Sequence, residues 1–317
     1  MSVKALLSRA DGSDEEIDLS RWKTRAIDEK ELLWVDAEDP SDDELETIRR
    51  ALDLADESAH VLAEPSSLAA AVHDDAVEVV VHAITDDLDA DPVVLQILVG
   101  NGWALTRHDE PLTFLEEHRE AIQDQRAVGR LKPVEFLIAV LGWHVDGFFR
   151  AAEQLEQEVD RLDDAALQSE HDLLDRLVAM RRRIARVRRI LAPHRELAAE
   201  LARPDFLPKD ARYAADELAA VVDRLERATE AISNAREMLI GTFDVHMTRT
   251  AQRTNDIMRV LTLASVVLLP SVVLAGVMGM NFKVGLFDEP NVFWVIIGAM
   301  LAMAVATLGI ARWRGWL

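Results

Sequence analysis

Apolar residues along the chain follow three successive regimes. Up to about residue 130 they come in short runs, SVKALL, LLWVD, the alternating AVEVVVHAI, VVLQILV and WALTR, bounded by turn-forming residues, a pattern that predicts strands. Asn101-Gly102, between the last two runs, is a hairpin signal. Ser41-Asp-Asp-Glu44 is a capping box opening a helix through Leu54, and Pro111 opens another to about Gln125. Residues 1–130 are therefore expected to form an α/β domain. From Pro133 the strand pattern stops. No proline interrupts Val134 to Ala192, whose apolar spacing is helical with a break near Asp163 to Ser169, so 131–208 is expected to be a helical hairpin. Beyond Pro208 the next proline is Pro270, and Leu218, Val221, Leu225, Ala228, Ile232, Ala235 and Leu239 alternate steps of three and four. That is a heptad seam. It runs on without a loop signal, which predicts one helix of about 70 residues, about 100 Å long, with 209–259 as a stalk.

The third regime is continuous. Val260 to Met280 and Asn291 to Ile310 contain no ionisable side chain, and each is long enough to cross a bilayer as helix. Two such runs with a short loop between them predict a transmembrane hairpin: 260–280, loop 281–290, 291–311, then a basic tail 312–317. Arg249, Arg253 and Arg259 precede the first run and Arg312 and Arg314 follow the second. By the positive-inside rule both termini face the cytosol and the loop faces out. Phe282, Phe287, Phe293 and Trp294 gather at the outer boundary, with Trp313 and Trp316 at the inner one, as interfacial anchors.

Charge sharpens this picture. The 317 residues hold 35 Lys and Arg against 57 Asp and Glu, a net charge of −22. Four basic and two acidic residues follow Asp256, so the part up to it carries −24. Such a surface repels a phosphate backbone and attracts cations, which argues against a nucleic-acid partner. The absence of cysteine excludes disulfides and thiolate zinc clusters. The first arm of the hairpin is acidic (Glu153, Glu156, Glu158, Asp160, Asp163, Asp164) and the second basic (Arg181, Arg182, Arg183, Arg186, Arg188, Arg189), so the arms are expected to pair with each other. No phosphate loop, nucleophile elbow or metalloprotease motif is present, so no enzyme activity and no organic cofactor is expected.

Beyond the seam, in steps of four and three, one face reads Asp244, Thr248, Ala251, Asn255, Met258, Thr262, Ser265, Leu269, Val272, Gly276 and Gly279. Polar groups facing hydrocarbon are costly, so this stripe should face protein or water. Small-residue helix packing and the lining of an oligomeric pore both satisfy that requirement.

The end of the span, Gly276-Val-Met-Gly279-Met280-Asn281-Phe282, resembles the signature of the CorA magnesium transporter family, and Gly279-Met280-Asn281 matches its defining triplet. Thr254-Asn255-Asp256-Ile-Met258 resembles that family's TNE-x-M segment, Pro270 sits where its first span has a proline, and RWRGWL resembles its tail. LLWVD, ALTRHDEP and the acidic hairpin extend the resemblance over nearly the whole chain.

The resemblance implies an α+β membrane protein. Its parts are a cytosolic α/β/α domain, a long stalk helix continuous with the first span, and a homopentameric funnel in the cytoplasmic membrane. It implies influx of divalent cations, chiefly Mg²⁺ with Co²⁺ or Ni²⁺ also carried. The selectivity residues would be Gly279, Met280 and Asn281. The first span would line the pore through Asn255, Met258, Leu261, Thr262, Ser265, Leu269, Val272 and Gly276. A ring of Asn281 amides and Gly279 carbonyls can recognise hydrated Mg²⁺ through its waters, while Met258, Leu261 and Leu269 constrict. Regulatory Mg²⁺ would bind between protomers at Asp244 and Glu64. Asp288 and Glu289 would concentrate cations at the mouth. Three features depart from the family pattern: SSLAAA replaces its QRPK segment, Val272 its pore threonine, and KVGLFDEP its loop. A zinc transporter of the ZntB branch and a membrane-anchored scaffold are the other readings.

Overall fold

The computed structural model describes residues 3–9, 13–22, 27, 31–63, 68–117, 119, 132–168, 172–203, 205–207, 211–280 and 291–314. They divide into two compact units, 1–165 with 171–242, and 166–170 with 243–317.

The first unit is built on a mixed sheet. Its strands are β1 (Val3–Arg9), β2 (Asp14–Glu16), β3 (Glu31–Glu38), β4 (Ala69–Val72), β5 (Val77–Ala83), β6 (Val93–Val99) and β7 (Trp103–His108). They lie in the order β2-β1-β3-β7-β6-β5-β4, with β3 and β7 parallel and the other neighbours antiparallel. β2 and β4, three and four residues long, close the two edges without an apolar run to announce them. The Asn101-Gly102 hairpin joins β6 to β7; of the two, Gly102 alone takes a positive φ, 81°. The expected alternation in β5 is absent: every residue from Val77 to Val81 is buried, including Glu78. Both faces of the sheet are covered, so Glu78 is held by Gln96 Nε2 at 2.7 Å and faces His73 Nε2 at 3.1 Å.

One face packs on α1 (Asp42–Leu52) and α2 (Asp56–Ala63), where Leu33, Val35 and Leu105 meet Ile48, Leu52 and Leu62. The capping box forms as expected: Ser41 Oγ accepts from the Glu44 amide and Glu44 Oε2 accepts from the Ser41 amide. Asp53, left-handed at φ 52°, ends α1 at Leu52, two residues short of the expected Leu54. The helix expected from Pro111 is seen at 113–117; its continuation lies outside the described residues.

The other face receives α3 (Pro133–Gln168), where the Trp34 and Phe136 rings sit 5.1 Å apart. Between them the segments LLWVD and ALTRHDEP, paired in register on β3 and β7, assemble a buried polar chain. Trp34 Nε1 donates to Thr106 Oγ1 at 3.0 Å, and Thr106 Oγ1 donates to Asp36 Oδ1 at 2.6 Å. His108 and Arg119 also reach the Asp36 carboxylate. A buried carboxylate is tolerated only when so fully paired.

α4 (Leu173–Leu191) and α5 (His194–Leu201) follow, then α6 (Ala215–Met278). The α6 seam from Leu218 to Leu239 is buried within the protomer, together with Thr242, so it packs on its own chain. Among the described residues the expected pairing of acidic and basic arms is realised at one position, Arg183 Nη1 to Glu158 Oε2 at 2.5 Å. Arg183 also binds Asp89 in the loop after β5, and Arg186 lies near Asp91. Arg181, Arg182, Arg188 and Arg189 point outward because the buried line from Leu173 to Leu191 takes the inward face.

Three histidines converge where β5, α3 and α5 meet. His194 Nδ1 contacts the Ile190 carbonyl at 3.0 Å, and its Nε2 receives the His82 amide at 3.3 Å and faces His144 Nε2 at 3.2 Å. The arrangement is satisfied when His194 carries its proton on Nδ1 and His144 donates from Nε2, leaving His144 Nδ1 buried without a partner. Burial lowers the pKa of both, that of His194 to about 4. The folded state therefore holds them neutral while the unfolded chain binds protons below about pH 6.5, so stability present above that pH is lost on acidification. At pH 5.5 the His194 contribution alone is about 1.4 kcal/mol, with His144 acting in the same direction. Urea midpoints measured at pH 7.5 and 5.5 should fall on acidification, and a His144→Leu, His194→Leu chain should show a smaller fall.

Candidate ion pathway

The second unit contains the remainder of α6, from Phe243, and α7 (Val292–Trp313). Both helices are long and apolar enough to cross a membrane, and their apolar windows are unburied within the chain. Helix is the form such a segment must take, because every backbone N–H and C=O then finds its partner internally. Pro270 is the exception in α6: lacking an N–H, it leaves the Val266 carbonyl without its usual donor.

Burial distinguishes two sides of α6 in this region. Leu263, Val267, Pro270, Ser271, Leu274 and Met278 are half-buried. On α7, Ile296, Met300, Ala304 and Thr307 are half-buried and Ala311 is buried, again at helical spacing. These faces were not singled out from sequence. The signal for them was present in the small residues Ala304 and Ala311, but the uniform apolarity of the span hid it.

The expected stripe lies on the other side. Asp244, Thr248, Ala251, Asn255, Met258, Thr262, Ser265, Leu269, Val272, Gly276 and Gly279 are all exposed. At about 100° per residue they stand opposite the half-buried side. Met258 and Leu269 are 60% and 63% exposed; Leu261, as open, sits to one flank of the stripe. The polar residues differ in need. Ser265 Oγ donates back to the Leu261 carbonyl at 2.9 Å, so its proton is already satisfied in an apolar setting. The Asn255 amide has no such internal bond among the described residues and requires water or another chain. Asp244, two residues past the last buried seam position, has no cationic partner among the described residues.

α6 ends at Met278, and the chain tightens there. The Gly279 amide donates to the Ala275 carbonyl at 3.0 Å and the Met280 amide to Val277 at 3.2 Å. A Cβ on Gly279 would stand 3.4 Å from the Ala275 oxygen and 3.5 Å from that of Gly276, so glycine keeps this backbone uncovered. The terminus presents the negative end of the helix dipole together with its last carbonyls. Asn281, Asp288, Glu289 and Glu64 lie outside the described residues. On α7, Phe293 and Trp294 stack edge to face at the first turn and Trp313 is 85% exposed at the last, positions suited to the two interfaces of a bilayer.

A family model described as CorA-like Mg²⁺ transporter protein matches residues 29–310. The chain belongs to this CorA family. Among its relatives, the cobalt/magnesium transport protein CorA of Thermotoga maritima is 26% identical over 206 residues, 63% of this chain and 57% of that protein. The CorA of Methanocaldococcus jannaschii is 20% identical over 302 residues, 92% of this chain and 93% of its own. A solved structure of the M. jannaschii CorA magnesium transporter shares the fold at TM-score 0.81 and 19% identity, over 100% of both chains. The ZntB cytoplasmic domain from Vibrio parahaemolyticus shares it at TM-score 0.63 and 12% identity, over 80% of this chain and 100% of that domain.

The CorA family thus accounts for the whole architecture, from the mixed sheet to the paired apolar helices. Since the natural chain lacks cysteine, single cysteines can report which side of α6 meets water. Introduced at Asn255, Thr262, Ser265 or Val272, they should react with a membrane-impermeant thiol reagent. At Leu263, Val267 or Leu274 they should not, and the reverse pattern would put the pathway elsewhere.

Proposed function

We propose that this chain carries divalent cations, chiefly Mg²⁺ with Co²⁺ and Ni²⁺, into the cytosol. The pore is lined by the α6 helices of five copies in the cytoplasmic membrane, and both termini are cytosolic. The observation that supports this reading most is the exposed stripe of α6, opposite the side that is half-buried within the chain, leading to Gly279 and Met280 at the helix terminus.

Each step then has a physical basis. Mg²⁺ sheds water reluctantly and prefers octahedral oxygen, so a mouth of Gly279 backbone and Asn281 amides holds the hydrated ion through its waters. The five helix termini add partial negative charge without burying an ion. Asp288 and Glu289 raise the local cation concentration. Inside, Thr262, Ser265 and Asn255 supply polar rings, with Val272 and Gly276 between them and the mouth, and Met258, Leu261 and Leu269 constrict the path by dewetting. On the cytosolic side, Mg²⁺ bound between Asp244 of one copy and Glu64 of another holds the funnel closed. Its loss lets like charges repel, which gives feedback by mass action.

A ZntB cytoplasmic domain shares the fold over 80% of this chain, so Zn²⁺ with proton coupling is the second reading. Uptake into proteoliposomes, with Mg²⁺ and Zn²⁺ reporters and with or without a proton gradient, separates the two. Mg²⁺ entry independent of the gradient is expected, falling to background in Asn281→Ala. Gradient-driven Zn²⁺ entry would select the ZntB reading, and flux unchanged in Asn281→Ala would remove the proposed selectivity site. Neutralising Asp288 and Glu289 together should raise the Mg²⁺ concentration for half-maximal uptake by about tenfold at low salt.

A further inference from the structure

α4 carries seven arginines, Arg176, Arg181, Arg182, Arg183, Arg186, Arg188 and Arg189, against the single acid Asp175, in a chain of net charge −22. Arg183 and Arg186 face acids of their own chain. Arg181, Arg182, Arg188 and Arg189 are exposed, and among the described residues none has a carboxylate in reach. α3 shows the converse. Its Glu158 is taken by Arg183, while Glu153, Asp160 and Asp164 are exposed without a cation among the described residues.

The two unpaired faces match in spacing. Leu155, Val159, Leu162 and Ala166 form the buried line of α3, and at about 100° per residue Glu153, Asp160 and Asp164 lie opposite it. Arg182 and Arg189 likewise lie opposite Leu177, Ile184 and Leu191 on α4. Glu153 to Asp160 and Arg182 to Arg189 are each two helical turns, about 10 Å, so two helices laid side by side can form more than one pair at once. Crowded like charges on one helix are unfavourable until counter-charge arrives. The large acidic excess of the molecule opposes a nucleic-acid partner, whereas another copy of the chain brings an acidic helix of the right spacing. A contact between two different faces of identical chains is the kind that closes a ring.

We propose that the arginine face of α4 docks head to tail on the acidic face of α3 in a second copy of this chain. The inference rests on the oligomeric reading above. Each exposed pair is weak and screened by salt, so the contact acts as a set and loosens at high ionic strength.

Disulfide trapping in the otherwise cysteine-free full-length chain tests it. One chain carries Arg188→Cys, a second carries Asp160→Cys, and the two are co-expressed and purified in detergent. A disulfide-linked dimer is expected from the mixture and from neither chain alone, with a yield that falls in high salt. Adding Arg182→Glu and Arg189→Glu to the first chain should reduce the yield severalfold. Adding Glu153→Lys and Asp164→Lys to the second should restore it, which separates lost docking from misfolding. Linkage between two Arg188→Cys chains, or a yield indifferent to charge reversal, would overturn the proposal. So would the absence of any linked dimer when light scattering shows an intact oligomer. A single-chain mass for the natural protein would overturn the oligomeric reading itself, and this contact with it.

Discussion

A backbone that enters hydrocarbon must bring its own hydrogen-bond partners, and this requirement governs α6 and, through α6, the account of the whole chain. The helix runs from Ala215 to Met278 as a single element. Within its apolar segment the helical period decides which side chains share a face. Leu263, Val267 and Leu274 fall on the side covered within the chain, and Asn255, Thr262 and Val272 on the side left open. Asn255 sharpens the point: an amide with no internal partner has no place against acyl chains. Ser265, whose hydroxyl returns to its own helix, imposes no such demand.

The first unit is held together by its own core. Its sheet is covered on both faces, and the two carboxylates caught inside are paired, Asp36 with Thr106, His108 and Arg119, and Glu78 with Gln96. The seam from Leu218 to Leu239 clamps α6 to this unit by burying one side of about six helical turns. The acidic balance of the chain fits a protein whose cargo is cationic.

The sequence made plain those features that repeat with a period or punctuate it. The α6 seam, the capping box at Ser41 and the turn at Asn101-Gly102 were all legible, because each depends on residues close along one element. The short edge strands β2 and β4 were not, since three or four residues carry no readable period. β5 misled for a different reason: Glu78 is polar yet buried, which only its partners on neighbouring segments could reveal. The arms of the hairpin suggested mutual pairing from composition. The packing instead turned Arg182 and Arg189 away from α3, because the buried line of α4 claimed the inward side. At the candidate pathway the stripe could be read from spacing and the resemblance, whereas the side of α6 covered within the chain required the fold.

The central claim is that the open face of α6 surrounds a common axis in an assembly of identical chains. Pulsed electron spin resonance on spin labels placed at Ser265, and separately at Leu263, in bilayer discs measures this directly. A fivefold ring gives two intermolecular distances in a ratio of about 1.6, and the account predicts that pair with the shorter values from Ser265. A single distance, or shorter distances from Leu263, would contradict it.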